Sequence, residues 1–380
     1  MASRILVVGA GFTGAVIAER IASEGGHEVV VVDRRDHVAG NAFDHRDAFG
    51  VQVHKYGPHI FHTNSAHVFD YLSRFTAWRP YEHRVRALVD GRFVPLPINL
   101  SSLELLLGTR KAAALADAMQ RDYGVGGSVP ILRMRESASP DIRRLADLLY
   151  ERVFLNYTLK HWGRSPEDLD PSVSARVPIR LSRDDRYFQD RFQGMPVPGY
   201  TELIGRILDQ PRIEVRLATP YLSAIGEGRF DLVVFTGPID EFFDRRHGAL
   251  PYRSVCFDMR SQLSAHPLQP AGTLNFPTPA HEHAYTRVTE YRILTGQDGV
   301  DTTTRSYEYP QPYEPGENEP CYPVPHPDHR ALLRMYRDDA RRLRTVVFAG
   351  RLGDYMYYNI DQAVARGLAC YEKEIAPRVR

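Results

Sequence analysis

The sequence predicts an α/β fold in which a Rossmann-like nucleotide-binding domain carries a helical insertion domain and an antiparallel β-sheet domain. Three observations carry this. The chain opens with a complete strand–glycine turn–helix–strand unit, residues 100–162 change to helical apolar spacing, and strand-like runs return from residue 250 onward. At 380 residues the chain is long enough for two or three domains with a sizeable core.

Arg4 to Val8 is a short apolar run rich in β-branched residues and reads as a buried strand. It leads into Gly9-Ala10-Gly11-Phe12-Thr13-Gly14, a G-x-G-x-x-G turn, and then into Ala15 to Ala22 with helical spacing. A second strand, Glu28 to Val32, ends on Asp33. Together these supply the context that the dinucleotide fingerprint requires. Gly9 permits the tight turn, Gly11 beside Phe12 lets backbone N–H groups approach a pyrophosphate, and Gly14 lets helix pack on strand. The pyrophosphate is expected at the positive helix N-terminus, with Asp33 accepting from a ribose hydroxyl.

Asp33-Arg34-Arg35-Asp36-His37-Val38-Ala39-Gly40-Asn41 narrows the cofactor. It resembles the acid-x-R-x-H-x-G-G-N stretch of FAD proteins of the glutathione-reductase-like and amine-oxidase-like class, with Ala39 replacing the first glycine. The resemblance implies FAD rather than NAD, with Arg34 and Asn41 near it.

Composition excludes several classes. A net charge of +1 gives no reason to expect nucleic acid or an acidic membrane as partner. Charged residues at 25% and hydrophobic residues at 43% are ordinary globular values. Three scattered cysteines, Cys256, Cys321 and Cys370, fit a reducing cytoplasm, with no disulfide framework or metal site expected. No run approaches a transmembrane span, and the glycine turn and Glu19-Arg20 argue against reading the N-terminus as a signal peptide.

Residues 49–63 begin as alternating strand and pass through a Gly-Pro turn to His59 and His62. A metal pair would need a third ligand, and none has plausible spacing. The run H-K-Y-G-x-H-I-F-H-T over residues 54–63 resembles the signature of UDP-galactopyranose mutases, flavoenzymes that interconvert UDP-galactopyranose and UDP-galactofuranose. The resemblance places His59 and His62 at the flavin.

Ser101 to Leu107, Arg110 to Tyr123 and Pro140 to Tyr157 have helical spacing, with a glycine-rich loop at 124–128 and Ser139 capping before Pro140. In the family such an insertion lies over the flavin and binds the nucleotide. Asn156-Tyr157-Thr158-Leu159-Lys160-His161-Trp162-Gly163 resembles G-Y-T-x-K-Q-W-G, with Asn156 and His161 as departures; Val153 stands where a Phe commonly packs. By itself Trp162, one of two tryptophans, reads as a core or lid residue. The resemblance implies that Tyr157, Thr158 and Trp162 contact the substrate, with Tyr187 a second tyrosine at the uracil. Residues 163–180 read as a long loop, which in the family closes over the substrate and carries an arginine, here Arg176.

Phe192 to Thr201 resembles F-Q-G-x-P-x-x-G-Y-T, after which the chain returns to the nucleotide domain. A helix is expected over Thr201 to Leu208, and strands over Ile213 to Leu217, Phe230 to Phe235, Leu250 to Met259, Gly272 to Phe276 and Arg344 to Ala349. Tyr285 to Glu290 resembles Y-T-R-x-x-E and implies that Arg287 is the second diphosphate arginine. Two guanidiniums from separate segments make a plausible clamp on a diphosphate. Tyr322 and Tyr357 match phosphate-contacting tyrosines. Gly350, Arg351 and Asp361 fall in a late strand–helix junction that usually contacts FAD. His83 and Asn359 sit near the substrate where the family usually has Asn and Asp.

The implied division is a discontinuous FAD-binding domain at 1–80, 190–245 and 340–380, a helical nucleotide-binding insertion at 98–180 with its loop at 163–180, and an antiparallel sheet domain at 81–97 and 246–339. The implied activity is a mutase in which reduced FAD attacks the anomeric carbon through N5, forming a flavin–sugar adduct, while Arg176 and Arg287 stabilise the departing diphosphate. An external reductant such as NAD(P)H and, often in the family, a homodimer belong to this expectation. Alternatives are a sibling mutase on a dTDP- or GDP-linked, 6-deoxy or N-acetyl sugar, an amine-oxidase-like flavin oxidoreductase, and a non-catalytic binding module.

Overall fold

The computed structural model describes residues 2–324 and 326–379. A five-stranded parallel sheet lies at the base, in the order Ile213–Arg216, Glu28–Val32, Arg4–Val8, Leu232–Phe235, Val346–Phe348. Its central strands are apolar at successive positions because both faces are covered. Ile5, Val7, Val29, Val31 and Val234 face one core, and Leu6, Val30, Val32 and Val233 face the other. On the first face the helices Phe12–Ser23 and Ile360–Cys370 meet closely. A Cβ on Gly367 would sit 3.1 Å from the Val16 side chain. The expected strands are all present; Arg4–Val8 and Glu28–Val32 match to the residue, the strand expected over Leu250 to Met259 starts at Tyr252 and runs on to Leu263, and the others are one to three residues shorter than expected.

A seven-stranded sheet stands above, ordered Tyr322–Pro323, Tyr252–Leu263, Thr302–Pro312, Arg287–Glu290, Thr273–Asn275, Val85–Val89, Arg92–Leu96. Every pair is antiparallel except Thr273–Asn275 with Val85–Val89, which is parallel. Those two strands come from distant parts of the chain, so no hairpin dictates their direction.

The insertion packs on the 85–96 hairpin. Leu100–Leu107, Thr109–Tyr123, Ile131–Arg135 and Pro140–Leu149 share one core with Val85, Ala87, Val89 and Val94. Ser139 caps as expected, its Oγ accepting from Ile142 N at 3.5 Å. Two expectations need correction. Residues 163–180 are not one loop: they hold a short helix, Pro171–Ala175, and a two-residue strand, Ile179–Arg180, paired with Ser128–Val129. The helix expected to end at Tyr157 runs on to Trp162 through a π-helical segment, Tyr150–Leu155. Sequence spacing also passed over the helix His329–Arg342, whose polar outer surface hides a single fully buried anchor, Tyr336. Among the described residues no helix is long and apolar enough to cross a membrane.

Candidate functional site

The glycine turn shows which of its glycines the protein itself needs. Gly9 has φ +107°, and a Cβ there would lie 2.1 Å from Thr236 Oγ1; a Cβ on Gly14 would lie 1.9 Å from the Gly9 carbonyl oxygen. Gly11 differs: its φ is −81°, and a Cβ would make only ordinary contact, 3.7 Å from Gly40 Cα. Folding does not demand a glycine at 11. Its bare Cα keeps clear the space at the N-terminus of Phe12–Ser23, where an anionic group is favoured. Phe12 turns its side chain into the core, edge-on to Tyr200 at 5.9 Å, so only its backbone borders this space.

Asp33 is buried after the second strand; Oδ2 accepts from Ala10 N at 3.0 Å and Oδ1 from Arg35 N at 3.0 Å. The carboxylate thereby holds the glycine turn against the following loop. Arg35, rather than Arg34, reaches Asn41, with Nη1 donating to Oδ1 at 3.0 Å. Arg34 turns outward to Glu319 at 2.7 Å.

Gly350 and Arg351 return at the last strand. Gly350 N donates to Asp354 Oδ2 at 3.0 Å, and the Arg351 guanidinium donates to the Tyr358 carbonyl at 2.6 Å and faces the Tyr357 ring at 5.2 Å. Asp361 opens the final helix; Oδ2 accepts from Thr63 Oγ1 at 3.1 Å, while Oδ1 is buried without a partner. A buried carboxylate oxygen left bare is costly. An open cradle at Gly11, a ribose-type acid and an orphaned acceptor near the last helix together fit FAD.

Facing this side is a cavity of about 530 Å³ lined by His59, His62, His83, Arg351 and Asn359. His59 Nδ1 lies 2.8 Å from the Gly57 carbonyl, so it carries the proton and leaves Nε2 bare. Burial, with His54 and Arg351 nearby, pushes the His59 imidazole down to about 3. His62 stacks on Phe188 at 3.6 Å, with Nδ1 2.8 Å from Asp190 Oδ2. His83 is buried against the Tyr81 hydroxyl at 3.1 Å; burial and the Arg287 charge push it to about 3. Among the described residues no three metal-capable side chains cluster.

A second cavity, about 850 Å³, is walled by Tyr157, Thr158, His161 and Trp162 with Val153 and Phe154. Tyr157 and His161 lie parallel at 6.0 Å, and burial raises the Tyr157 phenol. The two cavities share Arg176, Tyr187, Asn275, Arg287, Tyr322 and Tyr357. Here Tyr322 and Tyr357 stack at 5.3 Å. The Arg176 guanidinium lies 3.7 Å over the Tyr357 ring and donates to Asn359 Oδ1 at 3.0 Å. Its segment is drawn in further by Asp170 to Arg330 at 2.7 Å and Glu167 to Arg135 at 2.6 Å.

Arg287 donates through Nε and Nη2 to Glu308 Oε2, at 2.9 and 2.7 Å. Burial would lower this guanidinium, but the Glu308 carboxylate holds it well above the ordinary arginine value. Glu308 and Asn275 were invisible in the sequence. Each is the cross-strand neighbour of Arg287, from Thr302–Pro312 and Thr273–Asn275, and no local spacing announces such a pairing. Lys160 was legible only as a motif letter; its Nζ donates to the carbonyls of Phe276, His283 and Tyr285 at 2.7, 2.8 and 2.9 Å, tying the Tyr157 helix to the segment that leads into Arg287.

A family model described as UDP-galactopyranose mutase matches residues 152–357, and one described as an NAD(P)-binding Rossmann-like domain matches residues 7–75. The chain is 36% identical over 366 residues to a Klebsiella pneumoniae protein named "Probable UDP-galactopyranose mutase", covering 96% of this chain and 92% of the relative. It is 32% identical to the UDP-galactopyranose mutase of Mycoplasma pneumoniae, covering 97% and 95%. It is 30% identical to the dTDP-fucopyranose mutase of Escherichia coli, covering 97% of each. A crystal structure of reduced UDP-galactopyranose mutase shares the fold, with a TM-score of 0.76 at 16% identity over 98% of this chain and 93% of that one.

Proposed function

The chain belongs to the UDP-galactopyranose mutase family of isomerases, and on that premise we propose that it interconverts UDP-galactopyranose and UDP-galactofuranose with reduced FAD. The observation that carries this is the boundary between the cavities, where Arg176 and Arg287 meet the stacked Tyr322–Tyr357 pair. A diphosphate held there has its nucleoside in the Tyr157 cavity and its sugar in the histidine-lined one. The two arginines balance the charge that grows on the diphosphate as the anomeric bond breaks, and the two tyrosines orient it. Tyr157, Thr158, Trp162 and Tyr187 hold the nucleoside; His83 and Asn359 face the sugar. His59 and His62 shape the flavin side, His59 with a bare Nε2 able to accept a proton or hydrogen bond. Gly11, Asp33, Asn41, Arg351 and Asp361 would hold FAD, which supplies nucleophilic chemistry when reduced and undergoes no net oxidation. In this reading residues 1–80, 190–245 and 340–380 hold the cofactor, 98–180 the nucleotide, and 81–97 with 246–339 the substrate, and an external reductant such as NAD(P)H keeps the flavin reduced.

A second reading keeps the reaction and changes the sugar nucleotide. It is supported by the dTDP-fucopyranose mutase relative and by His83 and Asn359 lining the sugar side. Anaerobic turnover of UDP-galactofuranose by the purified flavoprotein, with and without dithionite, tests both. Conversion only after reduction, with no reductant consumed per turnover, is the expected result. Absence of turnover with UDP-galactofuranose but conversion of a dTDP-linked furanose selects the second reading. In a parallel aerobic run, oxygen-dependent consumption of substrate without isomerisation rejects both.

A further inference from the structure

One feature of the nucleotide wall is unusual in its backbone. Pro140–Leu149 is α-helical, Tyr150–Leu155 is wound as a π-helix, and Asn156–Trp162 is α-helical again, with Leu149 and Asn156 both in the right-handed helical region, so the rod is continuous. A π turn inserts one extra residue into the winding and is enriched at functional sites.

The consequence follows from phase. Ile142, Leu145, Ala146 and Leu149 form the buried face that packs in the insertion's core. At about 100° per residue, an unbroken α-helix would carry that face on through Val153, Asn156 and Lys160, leaving Tyr157 about 70° and His161 about 110° off it. The extra residue turns everything downstream back by about 100°, which brings Tyr157 and His161 to within roughly 30° of the face and swings Lys160 about 90° aside. The side chains agree. Tyr157 and His161 line the nucleotide cavity, whose wall shares Leu96, Val153 and Phe154 with the insertion's core, and Lys160 reaches the carbonyls of the 276–285 segment. Within the π segment Glu151 and Arg152 are exposed. Arg152 makes only a surface ion pair, with Asp90, of a kind worth little.

We propose that the π segment Tyr150–Leu155 is a positioning element that sets the rotational phase of the nucleotide-binding face, so that affinity depends on the number of residues in it and not on its exposed side chains. The proposal rests on the nucleotide-sugar reading of the cavity. The test compares full-length flavoprotein lacking Glu151 with the same-length variant E151R/R152A, by calorimetric titration with UDP, dTDP and GDP. The deletion is expected to weaken binding of the preferred nucleotide by about 100-fold, the loss of two aromatic anchors, with bound FAD retained. The same-length variant is expected to bind within about threefold of the parent, as surface substitutions do. A deletion variant that binds like the parent, or a same-length variant that loses as much as the deletion, overturns the proposal. Inserting one alanine beside Glu151 reaches a wrong phase by the opposite route; a folded insertion variant with parental affinity overturns it even where the deletion does not fold. A parent that binds none of the three nucleotides overturns the nucleotide reading itself, which sets that failure apart.

Discussion

Arg287 is held by a carboxylate that has little exposure of its own, so its charge is fixed in place before substrate arrives. Under the proposed function, removing it takes away transition-state stabilisation, and it strands Glu308. Arg287→Ala is expected to lower kcat/KM by on the order of 10²–10³, about 3–4 kcal/mol, in steady-state assays under reducing conditions. Arg287→Lys should recover little of this, because a point charge cannot keep the two-pronged bond to Glu308 while serving the diphosphate. The histidines give a pH prediction. His83 and His161 are buried and pushed down to about 3, whereas in the unfolded chain a histidine titrates near 6.5. Between those values the unfolded chain binds more protons than the folded one, so stability is intact above about pH 6.5 and falls as pH drops toward 3. Urea midpoints should therefore decline steadily from pH 7 to pH 4.5, and His83→Gln should flatten part of that decline.

At the scale of elements, the insertion's helices were readable because punctuation and apolar spacing agree: Ser139 before Pro140 and the glycine-rich loop that opens at Gly124. Ser139→Ala should cost about 1 kcal/mol in urea unfolding. The π segment was not readable, since its residues have ordinary helix preferences and the extra residue is imposed by what packs on either side. Lys160 belongs at this scale as well, because it couples two elements rather than touching substrate. Lys160→Met leaves three carbonyls without their shared donor and should cost about 2–3 kcal/mol of stability, measured by urea unfolding. The segment at 163–180 read as loop because Pro, Ser and charge dominate it. Its contacts with Tyr357 and Asn359, and with Arg330, come from two places far along the chain.

For the whole molecule, the glycine turn offers the cleanest separation of folding from cofactor binding. Gly9 and Gly14 are enclosed by the protein, but Gly11 is not. Gly11→Ala is expected to fold with near-parental thermal stability and to purify with little flavin, read from its visible spectrum; full flavin retention would show that the cradle is not where FAD binds. The sequence alone determined the parallel-sheet unit, the acid that ends it, the capped helices and the motif positions of Arg176, Arg287, Tyr157 and Tyr357. The unit, its acid and the caps rest on short-range patterns (strand runs, turn glycines, 3.6-residue spacing), whereas the four residue positions rest on motifs that resemble those of the family. Tertiary structure alone decided that Arg35 and not Arg34 reaches Asn41, and that Glu308 and Asn275 flank Arg287. It also decided that one strand pair in the upper sheet is parallel, and that Tyr157 and His161, downstream of a π turn, line the larger cavity. Each of those depends on strand register or helix phase, which only the simultaneous packing of distant segments can select.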